Sequence, residues 1–253
     1  MKPDICNFFP IPDLFKTEHL LCIQPHPDDL EIGAGATVAR LYRAGVHVTW
    51  LTVTNGSAGT YDPSINRTDL ARSRRNETEK AAAILGANDL LWLNFPDGGN
   101  LPYEKARSGI AGAIRKSKPS AILVCDPWLP YEAHSDHIRT GLAAAEAAFL
   151  SSMPYFCPEN LEEGLTAHKV ETVAFYYTAY PNTFIDVSTC WDSKLAAIDC
   201  HVSQFPPEKG KLLKSYLTEK AREQAKSYNF ELAEALKVLS PNHLHIFEPA
   251  WQC

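Results

Sequence analysis

Leu20-Leu21-Cys22-Ile23-Gln24-Pro25-His26-Pro27-Asp28-Asp29 is the stretch from which this chain is read: a short apolar run, then a turn carrying one histidine and two carboxylates. Far downstream the pattern returns, with Ala121-Ile122-Leu123-Val124-Cys125 leading into His134-Ser135-Asp136-His137. A short continuous apolar run bounded by turn signals reads as a fully buried strand. Two such strands, each followed by a histidine-carboxylate cluster, bring the clusters together if the strands lie side by side in one parallel sheet.

The segments between them support that sheet. Leu20 to Gln24 reads as a strand and Gly35 to Ala44 as a helix, with Gly45 as its C′ residue. Val46 to Val53 is rich in β-branched residues and reads as a second strand. Asp69 to Leu85 is helical up to Gly86, and Leu90 to Leu93 is a third strand. Tyr103 to Lys116 is a helix stopped ahead of Pro119, Ala121 to Cys125 a fourth strand, and Ile138 to Leu150 a fourth helix. This βαβα alternation predicts an α/β fold: a Rossmann-like, mostly parallel sheet with helices on both faces. Ligands of such sheets bind beyond the carboxyl ends of the strands, where the strand order reverses. After residue 150, Ser151 to Lys169 reads as a long loop. Glu171 to Tyr177 and Thr183 to Val187 read as strands, Trp191 to Val202 and Leu212 to Leu239 as mostly helical. The expectation is one domain over residues 1–253, with a core at about 20–150 and a C-terminal elaboration at about 151–253.

Composition excludes several function classes. At 45% hydrophobic and 21% charged residues the chain has an ordinary globular balance. Its net charge of -6 and isoelectric point near 5.8 oppose a nucleic-acid surface, which needs basic clustering. The segment Met1 to Lys16 lacks the basic and apolar regions of a secretion leader. No apolar stretch approaches the ~18–20 residues of a membrane span. Seven cysteines, an odd number without a CxxC pair, suggest neither a disulfide framework nor a thiolate metal site. A reducing cytoplasm is the expected location. Gly33-Ala34-Gly35 invites a dinucleotide reading, but the third glycine of that fingerprint is missing, and a pyrophosphate would meet Asp28, Asp29 and Glu31.

The chemistry follows from the donor types. A catalytic zinc takes three imidazole or carboxylate ligands and keeps one position open; Fe²⁺ or Co²⁺ accept the same donors. His26, Asp28, Asp29, His134, Asp136 and His137 are more groups than one ion needs. Hydrolysis uses the surplus, as a base for the attacking water and a donor to the oxyanion. The competing reading makes Asp28 or Asp29 an N-cap of the following helix.

His26-Pro27-Asp28-Asp29-Leu30-Glu31-Ile32-Gly33, with Gly35-Ala36-Thr37, resembles the first signature of the LmbE/PIG-L-like N-acetylglucosamine deacetylases, and His134-Ser135-Asp136-His137 resembles the second. Arg74-Arg75-Asn76-Glu77, Pro96-Asp97-Gly98, Ile185-Asp186-Val187 and the segment from Lys194 to Gln204 extend the likeness over roughly residues 20–240. The resemblance implies a zinc ion on His26, Asp29 and His137, and Asp28 as the general base acting on metal-activated water. It also implies His134 as oxyanion donor, as imidazolium or neutral imidazole, with Asp136 orienting it. Arg74, Asp97 and His201 are the implied substrate contacts. For Arg74 the plain alternative is a solvated charge paired with Glu77, for Asp97 a turn residue, and for His201 a packed helix histidine. Trp128 and Tyr131 either stack on a sugar ring or pack within their loop.

The implied activity is removal of acetyl from an N-acetylglucosamine-containing small molecule, without nucleic-acid or membrane partners. Absence of an N-terminal anchor favours a soluble substrate, and the resemblance implies a homo-oligomer, a trimer or hexamer. Amidase action on a thiol conjugate or another acylated small molecule, and a non-catalytic metal-binding role, are the alternatives.

Overall fold

In a computed structural model, which describes residues 5–253, all the strands join one seven-stranded sheet. Residues 1–4, part of the segment read as lacking a leader, lie outside the described residues. The strands are β1 (His19–Gln24), β2 (His47–Thr54), β3 (Asp89–Phe95), β4 (Ala121–Cys125), β5 (Thr172–Tyr176), β6 (Thr183–Asp186) and β7 (Ala233–Leu239). Their order is β3-β2-β1-β4-β5-β7-β6. The first five run parallel, and β7 lies antiparallel between β5 and β6.

The helices are α1 (Asp29–Arg43), α2 (Arg67–Leu85), α3 (Tyr103–Ser117), α4 (Ser135–Leu150), the single turn α5 (Glu159–Glu162), α6 (Trp191–Asp199) and α7 (Pro207–Ala225). From β1 the chain winds outward through α1 and α2 to β3, then crosses back through α3 to β4. Right-handed crossovers therefore put α1 and α2 on one face and α3 and α4 on the other; α6 packs on α1 and α2, and α3 on α4. Strand order reverses between β1 and β4, whose pairing aligns Leu20, Leu21 and Cys22 with Ala121, Ile122 and Leu123. Every residue of β4 is buried, as its unbroken apolar run requires. Gly45 and Gly86, in the left-handed region at φ 93° and 95°, end α1 and α2 where the sequence puts the stops.

Three expectations are corrected. Helices α1 and α4 begin earlier than their apolar periodicity indicates, at Asp29 and Ser135, so both polar clusters are themselves helix starts. The segment 212–239 is not mostly helical: α7 stops at Ala225, and Ala233–Leu239 is a strand buried on both faces. Its alanines, leucines and charges have helical propensity, but the gap between β5 and β6 overrides it. The strand's two charges find partners there. Glu234 accepts from the Ala36 and Thr37 amides at 3.3 and 2.7 Å and pairs with Lys194, while Lys237 donates to the Trp251 carbonyl at 3.1 Å. Finally, Cys6 and Cys253 form a disulfide that ties the two ends of the chain together, which the odd, scattered cysteine count did not suggest. The other five cysteines are free. Among the described residues no helix is long and apolar enough to cross a membrane.

Gly33 explains why the glycines after the first cluster exist without a nucleotide. A Cβ at Gly33 would lie 2.3 Å from the buried Tyr176 ring, so the glycine lets α1 pack directly on β5. Gly33→Ala forces that ring to move in a close-packed interior and is expected to lower unfolding stability by about 1–3 kcal/mol in urea titration. Unchanged stability would mean that the ring has room the packing denies it.

Candidate active site

Asp28 stands at the N-cap of α1 with φ 112°, in the left-handed region that non-glycine residues adopt uncommonly, aspartate more readily than most. Its side chain makes no capping hydrogen bond, so the N-cap reading fails for it and the carboxylate is left to other partners. Asp29, one residue into the helix, turns its carboxylate back: Oδ2 accepts from the His26 amide at 2.8 Å and lies 3.1 Å from His26 Nδ1. Its Oδ1 lies 3.2 Å from His137 Nε2. One carboxylate thus sits between two imidazoles delivered by neighbouring strands, with ring centroids 5.3 Å apart.

Two overlapping groups at this point could hold a divalent cation, both including His134 and neither including Asp29 of the expected ligand set. Nitrogens of His26, His134 and His137 lie within 4.8 Å of one another, and His26, Asp97, His134 and Asp136 form a second, overlapping group of the same spread. Imidazole with carboxylate suits a borderline ion such as zinc. The outer groups are those that orient imidazole ligands. His26 Nε2 lies 3.3 Å from Asp97 and 3.4 Å from Asp136. Glu132 Oε2 lies 3.2 Å from His137 Nδ1, at ion-pair distance but out of line for a hydrogen bond. Tyr177, after β5, stacks parallel to His137 at 6.3 Å and donates to the Asp29 carbonyl at 3.0 Å.

Charge compensation sets the proton affinities. Burial opposes ionisation of Asp29, but His137 and His26 outweigh it and hold its carboxyl below the usual range. Burial also opposes charge on His26, yet hydrogen bonds to Asp136, Asp29 and Asp97 raise its pKa well above normal. Asp28 goes the other way: burial pushes it up to about 7 against the pull of Arg74, whose Nη2 lies 3.3 Å from its Oδ2. At His134, burial and then the neighbouring His26 and His137 lower the pKa. Its Nδ1 accepts from the Asp136 amide at 3.3 Å as the N-cap of α4, which assigns the ring hydrogen to Nε2. Of the two forms left open for His134, the neutral donor is the one this environment favours.

Arg74 is buried and donates to the Gly56 carbonyl at 3.0 Å and to the Pro27 carbonyl, while Glu77 pairs instead with Ser203. It is therefore no solvated helix charge. Asp97 accepts from the Ala58 amide at 3.0 Å, and its carboxyl is held at about 2: burial opposes this, and His26, the Ala58 amide and Arg74 prevail.

Two of the expected residues have surroundings other than those their implied roles require. Asp136 does not orient the His134 ring through its carboxylate, which accepts from the Gly99 and Leu101 amides at 3.0 and 3.3 Å and faces His26; only its amide meets His134. His201 is fully buried, bonds Glu31 and does not line the cavity over the cluster. Trp128 packs edge-on against Phe175 and lines a separate cavity, and Tyr131 is not among the residues lining the cavity over the cluster, so neither walls it. Glu132, Tyr177 and Gln204 were not singled out in the sequence. For Tyr177 a signal existed, since it follows the strand beside β4.

A cavity of about 330 Å³ opens over the cluster, lined by Asp28, Arg74, Asp97, His134, Gly59 and Gln204 among others. The arrangement can hold a cation, an unshared carboxylate and a neutral N–H donor around one reacting carbon.

The model of the family described as "PIG-L: GlcNAc-PI de-N-acetylase" matches residues 21–148. The diacetylchitobiose deacetylase of Thermococcus kodakarensis is 40% identical over 228 residues, covering 90% of this chain and 85% of that protein. A probable N-acetyl-alpha-D-glucosaminyl L-malate deacetylase of Bacillus anthracis is 28% identical, covering 78% and 86%. Among solved structures, the N,N'-diacetylchitobiose deacetylase from Pyrococcus horikoshii in complex with its inhibitor MPG superposes with a TM-score of 0.87 at 36% identity, covering 92% of this chain and 88% of the other.

The burial of His201 yields a test. Removing one partner of a buried charged pair costs roughly 3–5 kcal/mol, so His201→Ala is expected to lower the urea midpoint strongly. A variant of wild-type stability whose KM alone rises would restore His201 as a substrate contact.

Proposed function

The chain belongs to the PIG-L family and is a deacetylase of N-acetylated amino sugars, and on that premise we propose that it hydrolyses the acetamide of a diacetylchitobiose-type disaccharide, releasing acetate and the free amine. The single observation that carries the reading is Asp28: a half-buried carboxylate without a capping bond, 3.3 Å from Arg74 and adjacent to the His26–Asp29–His137 group. Structural stability alone gives no reason to hold an uncapped carboxylate in the left-handed region.

In this reading His26, Asp29 and His137 would hold a zinc ion. When bound, such an ion polarises the acetamide carbonyl and acidifies water. Asp28 accepts a proton from the attacking water as the new C–O bond forms. His134 donates its Nε2–H to the carbonyl oxygen as negative charge develops there, a neutral donor that need not lose its proton. Asp28 then returns the proton to the amide nitrogen, the C–N bond breaks, and acetate and amine leave. Arg74 keeps Asp28 from rotating away, and Arg74 and Asp97 offer a donor and an acceptor to sugar hydroxyls over the cavity floor. Asp136 positions His26 and the 99–101 loop. The chain acts as one catalytic domain. By resemblance the proposal extends to a homo-oligomer in the cytoplasm. Against the cytoplasm stands the Cys6–Cys253 bond, since a reducing compartment opposes disulfides.

The test is amine release from N,N'-diacetylchitobiose and N-acetylglucosamine, with thiol-conjugate amides as controls, coupled to metal analysis of the purified protein. Chelation is expected to abolish turnover and stoichiometric Zn²⁺ to restore it. Turnover indifferent to chelation, or confined to the thiol conjugates, would refute the assignment. Asp28→Asn is expected to keep its metal and lose about 10²–10⁴ in kcat, the usual contribution of a general base. Full turnover in that variant would remove Asp28 from the reaction.

A further inference from the structure

Beside the cavity over the cluster lies a second of about 710 Å³, and Ala58, Gly59 and Gln204 line both. The first, at about 330 Å³, is at the lower end of the roughly 300–1,000 Å³ typical of small-molecule sites. One amino-sugar ring fills it, and whatever that ring is linked to must leave across Gly59. We propose that the second cavity is a subsite for the other sugar ring of the substrate, a neutral pyranose stacked on Tyr61 and hydrogen-bonded between Asp62 and Lys209. The inference rests on the deacetylase reading and states where the non-reacting half of that substrate binds.

The passage between the cavities is built with little side chain. A Cβ at Gly59 would lie 2.5 Å from Arg74 Nη1 and 2.9 Å from Gln204 Oε1, so any larger residue would press into both walls. The loop under it is fixed: the Gly59 amide donates to the Gly56 carbonyl at 3.3 Å, Arg74 donates to that same carbonyl at 3.0 Å, and the Ala58 amide donates to Asp97 at 3.0 Å. Gln204 Nε2 donates to the Gly59 carbonyl at 3.0 Å, while no hydrogen bond within the described residues reaches its Oε1, which is free to accept from a ligand.

Beyond the passage the lining changes from catalytic to adhesive. The Tyr61 ring is fully exposed and, among the described residues, meets no other ring, an aromatic face available to the apolar face of a sugar. Asp62 is fixed by bonds from the Ser64 amide and hydroxyl to its Oδ1, which leaves Oδ2 open to a sugar hydroxyl. Lys209 supplies donors from α7. These two charges cancel. A carboxylate-bearing group would be attracted by one and repelled by the other, whereas hydroxyls use both. That balance selects a neutral ring over an anionic aglycone.

The experiment compares wild type, Tyr61→Ala and Lys209→Ala on N,N'-diacetylchitobiose, N-acetylglucosamine and an N-acetylglucosaminyl malate conjugate. Where the monosaccharide turns over too slowly, its inhibition constant against the disaccharide replaces its KM. Each variant is expected to raise KM for the disaccharide roughly five- to tenfold, the scale of one lost contact, with kcat retained and the monosaccharide constants within about twofold of wild type. Equal effects on both sugars, no effect on either, or a wild-type preference for the malate conjugate would overturn the subsite. Wild type inactive on all three would instead overturn the deacetylase reading beneath it.

Discussion

The parallel pairing of β1 with β4 is the constraint on which the site depends. It aligns Leu20–Cys22 with Ala121–Leu123, and so the turns that leave the two strands emerge side by side. Asp29 then bridges His26 and His137, residues from opposite sides of the point where strand order reverses. Both helices that follow begin inside the polar clusters, so backbone amides and helix dipoles surround the carboxylates and favour their ionised forms.

Around this bridge the electrostatics divide the acidic groups by role. Asp29 and Asp97 are held ionised by histidines and amides, and Asp136 is tied to two loop amides as well as to His26. Asp28 has only Arg74 as a close counter-charge, and burial pushes its pKa up to about 7 against that help, so of the four it alone is poised near neutrality. Four carboxylates in one site thus acquire two behaviours from differences in burial and partners. The buried His201–Glu31 pair lies behind them; its imidazole favours the ionised form of Asp28 and its carboxylate opposes it, without either lining the cavity.

Reading residues in order succeeds where periodicity is strong. The run 121–125 is apolar throughout and becomes a strand over those very residues. It fails at β7, where Glu234 and Lys237 made a strand look helical because their partners, Lys194 and the Trp251 carbonyl, are remote in sequence. It also leaves the partners of His201 and Asp136 unread, since residue type announces that a group can bind something but not which neighbour gets it.

What the sequence by itself determined was the alternating α/β plan, the two donor clusters at strand ends and the resemblance they carry, because these follow from local periodicity and residue chemistry. Only the tertiary structure decided that Arg74 locks onto Asp28, that Glu132 and Tyr177 flank His137, and that an open compartment continues past Gly59. Each of those contacts joins side chains brought together by sheet order and helix packing, and separation along the chain contains no record of distance in space.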